Sequence, residues 1–214
     1  MGLRTFRRWT LRALAGALAL AVLAFAVAYW RSDNNCAAVR AATPEHPMKA
    51  FVYCTYGAPD VLTLTDVEKP APGEHQVLVR VRAAGVNPLE SHFIHGTPYF
   101  MRLTAGLRKP KNIRIGVDFS GTVEAVGPSV TGFKVGDEVF GGRNGALAEY
   151  LVVSDRAIVV KPTNVSFDEA AGVPVAAVTA LQAARDIAQI TAGQRVLING
   201  ASGGVGTFAV QIAK

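Results

Sequence analysis

A glycine-rich turn close to the last residue carries the strongest chemical signal in the sequence. The stretch "VLINGASGGVGTFAVQIAK", residues 196–214, places its glycines between an apolar run and a helical pattern. A pyrophosphate needs backbone N–H groups close by, no Cβ in the way and the positive end of a helix. This order of strand, turn and helix predicts a dinucleotide site. Its members are Asn199, Gly200, Ser202, Gly203, Gly204, Val205 and Gly206.

The elements that position this turn begin with a β-rich region. From Met48 onward, short alternating apolar stretches separated by Gly and Pro predict strands. The alternation is clearest in "QVLVRVRAAG", where Val77, Val79 and Val81 share one face. Further strands are predicted at 48–54, 61–67, 118–127 and 146–153, with "KVGDEVFGG" at 134–142 as a turn region. Such spacing is typical of a partly open β-barrel.

Helical patterns begin only near Ser166. Ser166 and Glu169 form a capping box that starts one helix, and a second helix is predicted at 175–188. Residues 195–199 then have the pattern of the strand that precedes the glycine turn. The sequence therefore predicts a β-rich domain at 48–170 and the start of an α/β domain at 171–214.

Residues 13–30 are uncharged and predict a single-pass transmembrane helix. About 18 helical residues span roughly 27 Å, close to a hydrocarbon thickness of about 30 Å. The arginine-rich stub at 1–12 predicts a cytoplasmic N-terminus, with the bulk of the chain on the other side. A cleaved signal peptide is the alternative, because "AVA" at 26–28 is a small-residue cleavage site. The arginine pair in the stub also partly matches a twin-arginine export signal.

Composition and spacing argue against several other classes. The two cysteines, Cys36 and Cys54, are too few for a disulfide framework or a four-cysteine zinc site, and we expect Cys54 to be a small apolar residue on a strand. The basic cluster at 102–114 lacks the interleaved aromatics and motif of a nucleic-acid site, so a solvated loop is expected. Residues 32–47 lack periodicity and end in Pro47, so we interpret them as a linker.

Six blocks in this order resemble the medium-chain dehydrogenase/reductase superfamily, in particular its zinc-independent, quinone-oxidoreductase-like (zeta-crystallin-like) branch. The resemblance covers about 48–214. The blocks are "GVNP" (85–88), "GVDFSGTVEAVG" (116–127), "FKVGDEVFG" (133–141), "GALAEY" (145–150), "AAGVPVAAVTALQ" (170–182) and "VLINGASGGVGTFAVQIAK" (196–214). The resemblance implies an α/β protein with a GroES-like β-barrel catalytic domain followed by a Rossmann domain.

The resemblance also bears on metal and cofactor. Zinc-dependent relatives carry a cysteine where Asn87 stands and a His-Glu pair where Val117 and Asp118 stand, so neither a catalytic nor a structural zinc is expected. In the resembling family the segment containing Thr179 and Gln182 lines the cofactor, and the alternative for Gln182 is a helix that packs only on its own domain. Thr179 and Gln182 are therefore predicted to contact NADPH, with NADH as the alternative.

Three residues are candidates on the substrate side. Without zinc, a carbonyl oxygen must be polarised by hydrogen-bond donors, and the amide of Asn87 could do this in a dry pocket. The alternative is that Asn87, which precedes Pro88, is an ordinary turn residue. His92 could serve as donor or acid, and Tyr99 provides a second hydroxyl nearby.

These observations predict an NAD(P)H-dependent, membrane-tethered oxidoreductase that reduces a quinone or conjugated carbonyl, or a related alcohol or aldehyde. No nucleic-acid partner is expected, and a homodimer is left open. A single βα unit leaves most of its apolar surface in contact with water. We therefore expect the 214-residue chain to be part of a longer enzyme, and by itself to bind NADPH poorly or not at all and to have no significant reductase activity. The alternative is a non-catalytic, membrane-tethered binding or scaffold domain.

Overall fold

The N-terminal segment is one long helix. The computed structural model describes residues 3–214, with side chains from Trp9 and from residue 11 onward. Helix α1 runs from Leu3 to Arg31. It is long and apolar enough to cross a membrane, and none of its apolar stretch is buried against the rest of the chain, although a signal sequence would share these properties. The side chains of Arg4, Arg7 and Arg8, on which the orientation prediction rests, lie outside the described residues.

The β-rich region forms two antiparallel sheets. Strands β1 (Pro47–Val52) and β2 (Thr63–Glu68) pair with each other. The larger sheet has the order β6-β3-β4-β5-β7. Its strands are β3 (Gln76–Ala84), β4 (Asp118–Val126), β5 (Glu138–Gly142), β6 (Tyr150–Ser154) and β7 (Ile158–Val160). The two sheets are joined by isolated bridges such as Ala50 to Ala148. The described strands thus belong to two separate sheets, and no closed barrel is seen among them.

The core of the larger sheet follows from the alternation in the sequence. Val77, Val79, Phe119, Val139 and Val153 are all fully buried and form one cluster. Branched and aromatic side chains fill such a pleated surface well, and each fully buried one contributes about 1.5–3 kcal/mol. The predicted strands are confirmed in outline, but the predicted turn at 134–142 is wrong for its second half. There β5 forms because Val139 is drawn into the core.

Short helices lie between β3 and β4 and after β7. Helix α3 spans Pro88–His95, α4 Arg102–Ala105, α5 Phe167–Ala171, α6 Pro174–Leu181 and α7 Gly204–Ala213. The predicted capping box of α5 is confirmed, since Ser166 Oγ accepts from Glu169 N at 3.2 Å and Glu169 Oε2 accepts from Ser166 N at 2.8 Å. The predicted helix at 175–188 is α6, continued by a π-turn at Gln182–Ile187.

The predicted strand at 195–199 is not formed. These residues have no regular secondary structure, and Leu197 is 95% exposed. A strand exists only when its N–H and C=O groups pair with a neighbour. No described strand lies alongside this segment, so its apolar side chains remain at the surface.

The segment at 32–47, predicted as a linker, packs against the β-rich region. It contains helix α2, Cys36–Ala41. The Asn34 amide donates to the carbonyls of Cys54 at 2.9 Å and Pro110 at 3.1 Å. These bonds show that the segment is attached at defined points, which local sequence patterns could not indicate.

The basic loop at 102–114 takes part in the same attachment. Lys109 Nζ lies 2.7 Å from Asp33 Oδ1, and Arg108 N donates to Ser32 Oγ at 3.2 Å. The prediction of a purely solvated loop is therefore wrong, since the loop binds the residues that follow α1. The Arg108 and Lys109 side chains also hold the pKa of Asp33 below its usual value, chiefly through the hydrogen bond from Lys109.

The two cysteines form a disulfide. Cys36, at the start of α2, is bonded to Cys54, with a Cα–Cα distance of 5.6 Å. Cys54 lies beyond the end of β1, so its interpretation as a small apolar residue on a strand is wrong. The sequence analysis did not predict this bond, which joins α2 to the β-rich region.

We expect loss of this bond to destabilise the fold. The two cysteines are 18 residues apart, and closing a loop of that length stabilises a folded chain by about 3 kcal/mol. The double variant Cys36→Ser, Cys54→Ser should therefore lose about that amount in a urea titration of the detergent-solubilised chain. Reductant should lower the stability of the wild type and leave the variant unchanged; equal sensitivity of the two would contradict the bond.

Candidate functional site

A buried carboxylate organises the region around the sequence-predicted Asn87. Asp118, the first residue of β4, is only 1% exposed. Both of its side-chain oxygens lie 3.1 Å from the backbone N of Val175, and Oδ2 accepts from Asn87 Nδ2 at 3.2 Å. Burial raises the pKa of Asp118, an effect that the bonds from Val175 and Asn87 oppose and that nearby Glu90 reinforces.

Asn87 is the N-cap residue of helix α3. Its backbone is extended, and its own N–H donates to Glu90 Oε2 at 2.7 Å. Pro88 follows at the first helical position, where its missing N–H costs nothing. The Asn87 side chain is therefore directed by the helix start and by Asp118 together. The amide has a second N–H beyond the one given to Asp118, which is the group that a ligand oxygen could use.

Glu90 is the second buried carboxylate of the cluster. It is 3% exposed, and its Oε1 has no hydrogen-bond partner among the described residues. A buried acceptor without a partner costs about 1–3 kcal/mol. Glu90 Oε1 is thus an unpartnered oxygen next to the buried Asp118, and a cluster of perturbed carboxylates of this kind is a candidate binding site.

Asp118 also links the substrate-side residues to the glycine turn. Val175, which donates to it, lies in the first turn of α6. The next residue, Ala176, contacts the position of Gly204, where a Cβ would lie 3.9 Å from the Ala176 Cβ. A continuous path of contacts therefore runs from Asn87 through Asp118 and α6 to the start of α7.

The glycine turn has the geometry that a dinucleotide requires. Gly200 has φ +72°, a left-handed conformation that disfavours other residues. A Cβ on Gly206 would clash with the carbonyl oxygen of Gly200, so this position needs glycine to let α7 approach the turn. Gly203 is the N-cap of α7, whose first N–H groups lack partners within the helix. These features are compatible with a pyrophosphate at the turn, although the strand expected before it is not formed. The predicted contacts remain predictions, namely Asn199, Gly200, Ser202, Gly203, Gly204, Val205 and Gly206.

The other two predicted cofactor residues lie on the connection before this turn. Thr179 is exposed on α6, and its hydroxyl donates to the Val175 carbonyl at 2.6 Å. Its oxygen remains able to accept. Gln182 is exposed at the start of the π-turn. Both are accessible to a ligand on the α6 side of the glycine turn.

His92 and Tyr99 lie outside the buried cluster. His92 is exposed near the end of α3, with Nδ1 2.9 Å from the Thr97 carbonyl oxygen, which leaves Nε2 accessible. Tyr99 is 72% exposed, and its ring stacks on the Arg102 guanidinium at 4.9 Å. Neither side chain is hydrogen-bonded to Asn87 or Asp118.

A cavity of about 230 Å³ lies close to the start of β4. Its walls include Tyr53, Phe93, Ile115 and Val117, and Val117 directly precedes Asp118. Tyr53 is 4% exposed and its hydroxyl makes no hydrogen bond to the described residues, while burial raises its pKa to about 12. The cavity thus combines apolar walls with a few polar groups, which include the hydroxyls of Tyr53 and Thr104 and the cation of Lys111, as small-molecule sites commonly do.

The sequence analysis missed Tyr53, Glu90 and the central role of Asp118. A signal for Glu90 was present: "NPLE" has an N-cap residue, a proline and a glutamate at the third helical position, the pattern already used at Ser166. No local sequence signal marked Tyr53 or Asp118, because a single aromatic or acidic residue in or next to a strand is common.

Comparison with known proteins decides the family. Residues 73–163 match the alcohol dehydrogenase GroES-like domain family. The chain is 40% identical to the quinone oxidoreductase of Lama guanicoe over 177 residues, which are 81% of this chain and 51% of that protein. The chain belongs to the quinone-oxidoreductase-like branch of the medium-chain dehydrogenase/reductase superfamily.

Two further relatives show the range of the branch. A 2-methylene-furan-3-one reductase of Solanum lycopersicum is 36% identical over 78% of this chain and 44% of its own length. The solved structure of the CurK enoyl reductase superimposes with a TM-score of 0.72 and 32% identity, over 79% of this chain and 51% of that one. The chain thus spans about half the length of the relatives it matches.

The raised pKa of Asp118 makes a prediction about stability. The folded chain binds the Asp118 proton more tightly than the unfolded chain, so this residue's contribution to the free energy of unfolding falls as pH rises from near its ordinary value of 3.8 through the raised pKa. The Asp118→Asn variant lacks this titration. Its free energy of unfolding, minus that of the wild type, should therefore increase across this pH range.

Urea titrations at a series of pH values measure this difference. Asp60→Asn removes a charge at an exposed position and is the matched control. A pH-independent difference for Asp118→Asn would contradict the raised pKa of the Asp118 carboxyl.

Proposed function

We propose that this protein is an NAD(P)H-dependent oxidoreductase that reduces a quinone or another conjugated carbonyl compound without zinc. The observation that carries the proposal is the contact path from Asn87 through Asp118 and α6 to the glycine turn. It joins the Asn87 amide, which is bonded to the first residue of β4, to a nucleotide-type turn, and the cavity lies near the same end of β4. The names of the relatives, quinone oxidoreductase and enone-type reductases, support the same reaction class.

The cofactor would occupy the glycine turn and the face of α6. NAD(P)H, when bound, supplies the hydride. The N–H groups at the start of α7 would hold the pyrophosphate, and Thr179 and Gln182 would border the remainder. NADPH is the proposed form, with NADH as the alternative.

The substrate would occupy the cavity with its oxygen toward Asn87. The free N–H of the amide would stabilise the negative charge that develops on that oxygen. Asp118 is a positioning residue in this scheme: its carboxylate accepts the other N–H and keeps the amide nitrogen directed into the site. Tyr53, His92 and Tyr99 are the proposed proton donors, of which Tyr53 lines the cavity itself.

Zinc independence rests on the residues at the positions of the ligands. Asn87 and Val117 are not zinc ligands of the kinds used in proteins, and Asp118 is engaged by two N–H donors. The described residues contain no group of three His, Cys, Asp or Glu side chains that could hold a metal.

We further propose that α1 anchors the protein in a membrane with the β-rich domain on the non-cytoplasmic side. The exposed apolar length of α1 supports the anchor. The Cys36–Cys54 disulfide supports the side, because such bonds persist in oxidising compartments. A twin-arginine route would carry the folded protein there with its cofactor already bound.

The reaction is tested by NAD(P)H oxidation, followed by absorbance with a water-soluble quinone and with a conjugated enone. In a protein that carries the complete nucleotide-binding domain we expect quinone- or enone-dependent oxidation that a chelator leaves unchanged, and in the 214-residue chain by itself we expect little or none. Gly206→Ala should weaken nucleotide binding, measured by NADPH fluorescence, because the added Cβ clashes with Gly200. Gly132→Ala, at an open position, is the matched control. Nucleotide binding without turnover would favour the scaffold alternative.

The role of Asn87 is tested by two substitutions with different structural consequences. Asn87→Ala removes both the amide and the helix cap, whereas Asn87→Ser keeps a capping hydroxyl. Both should lower kcat by a few hundred-fold, which corresponds to about 3 kcal/mol for loss of one oxyanion donor. Both variants lose the hydrogen bond to Asp118, and Asn87→Ala should be less stable than Asn87→Ser by about 1 kcal/mol because it also loses the cap. Full activity of Asn87→Ser would reduce Asn87 to a helix cap.

A further inference from the structure

Residues 98–111, here called the interfacial loop, present apolar side chains to solvent. Tyr99, Phe100 and Leu103 are 72%, 71% and 67% exposed. They lie in the 3-10 turn Tyr99–Met101 and in α4, which follow one another directly. Two aromatic rings and a leucine at adjacent exposed positions indicate a surface that is covered when the protein is in its working environment.

The second half of the loop lies beside the end of α1. Arg108 N donates to the hydroxyl of Ser32, the residue that follows α1, and the Arg108 guanidinium lies 5.7 Å from the Trp30 ring centroid. Lys109 pairs with Asp33. The loop is thereby held at the level where the apolar helix ends, which in a bilayer is the headgroup layer.

The two halves of the loop form one compact unit. Lys111 N donates to the Ala105 carbonyl at 2.8 Å, and Gly106 N to the Arg102 carbonyl at 3.0 Å. The Arg102 guanidinium stacks on the ring of Tyr56 at 4.3 Å and on that of Tyr99. The apolar side chains are therefore held close to the basic ones rather than on an independent arm.

The charge around the loop is positive. Asp33 is the acidic side chain that pairs with it, and Arg31 at the end of α1 adds a further cation. The Lys111 side chain is exposed and makes no hydrogen bond to the described residues. The cations of this surface are Arg31, Arg102, Arg108, Lys109 and Lys111.

We propose that the interfacial loop docks on an anionic phospholipid bilayer next to α1. Tyr99, Phe100 and Leu103 enter the boundary between headgroups and acyl chains, while Lys109 and Lys111 face lipid phosphates. Exposed aromatics beside lysines and arginines are the composition that such an interface selects.

Docking would also place the cavity against the lipid. Thr104, Ala105 and Lys111 belong to the loop and line the cavity. A substrate would then enter from the bilayer, which specifies a quinone or enone with a lipid-soluble chain. This step rests on the proposed function, because it takes the cavity as the substrate site and α1 as the anchor.

Docking is tested with the full chain reconstituted into vesicles of phosphatidylcholine, with or without phosphatidylglycerol. Phe100→Trp is placed in a Trp9→Phe, Trp30→Phe background, and its fluorescence is quenched by lipids brominated on the acyl chains. Val135→Trp, at an exposed position in the turn between β4 and β5, is the control. We expect several-fold stronger quenching at position 100 than at position 135.

Charge substitutions test the electrostatic part in the same vesicles. Lys111→Glu should reduce quenching at position 100 in the phosphatidylglycerol vesicles, and Lys134→Glu, an exposed lysine in the control turn, should not. Equal quenching at positions 100 and 135 would overturn the proposal. The proposal would also be overturned if the chain self-associates through Leu103 and the brominated lipids then fail to quench the fluorescence of the tryptophan at position 100.

Two further measurements separate docking from the proposals on which it rests. Alkaline carbonate extraction reports the anchor, so a pelleted chain with unquenched position 100 refutes docking alone. For entry from the lipid, Leu103→Ser should lower several-fold the rate with a long-chain quinone in vesicles and leave the rate with a short-chain soluble quinone unchanged. Equal effects on both quinones would overturn lipid entry, and no rate with either would refute the reductase itself.

Discussion

The carboxylate of Asp118 is the constraint on which the candidate site depends. It is buried at the start of β4 and accepts from α6 on one side and from Asn87 on the other. A buried charge is tolerated only when its hydrogen-bonding capacity is used. The chain meets this requirement by bringing the first turn of α6 and the N-terminus of α3 to the same carboxylate. The substrate-side amide and the helix that contacts the glycine turn are thereby joined.

In the proposed function, this arrangement would hold Asn87 in place for a reaction without a metal. A metal ion would fix a substrate oxygen by its own charge, whereas an amide must be held in one orientation by its neighbours. Asp118 and Glu90 supply that constraint to Asn87, one through the side chain and the other through the backbone. Burying two carboxyl groups lowers the stability of the fold, and destabilising features of this kind are common at functional sites.

The attachment of residues 32–41 gives the N-terminal helix a defined relation to the β-rich domain. A disulfide, the Asn34 amide and the pairs made by Asp33 all join the segment after α1 to one side of that domain. A free linker would let the domain rotate about its anchor. Here the interfacial loop is held beside Trp30, so any membrane that contains α1 would face the same surface of the domain.

The sequence by itself determined the features that depend on neighbours along the chain. Alternation predicted β3 because successive strand residues face opposite sides, and Ser166 with Glu169 predicted the start of α5 because a cap acts within one turn. The glycines of the last turn were recognised for the same local reason. The ordered blocks also carried the family, which the relatives confirm.

Only the tertiary structure decided which distant residues meet. Asn87 and Asp118 are 31 positions apart, and Asn34 and Pro110 are 76 apart. No period in the sequence reports such pairs, so the disulfide, the packed linker and the binding of the basic loop were missed. The strand predicted at 195–199 shows the same limit from the other side. Its residues have the apolar pattern of a strand. A strand, however, is defined by hydrogen bonds to a neighbouring strand, and those depend on the folded sheet.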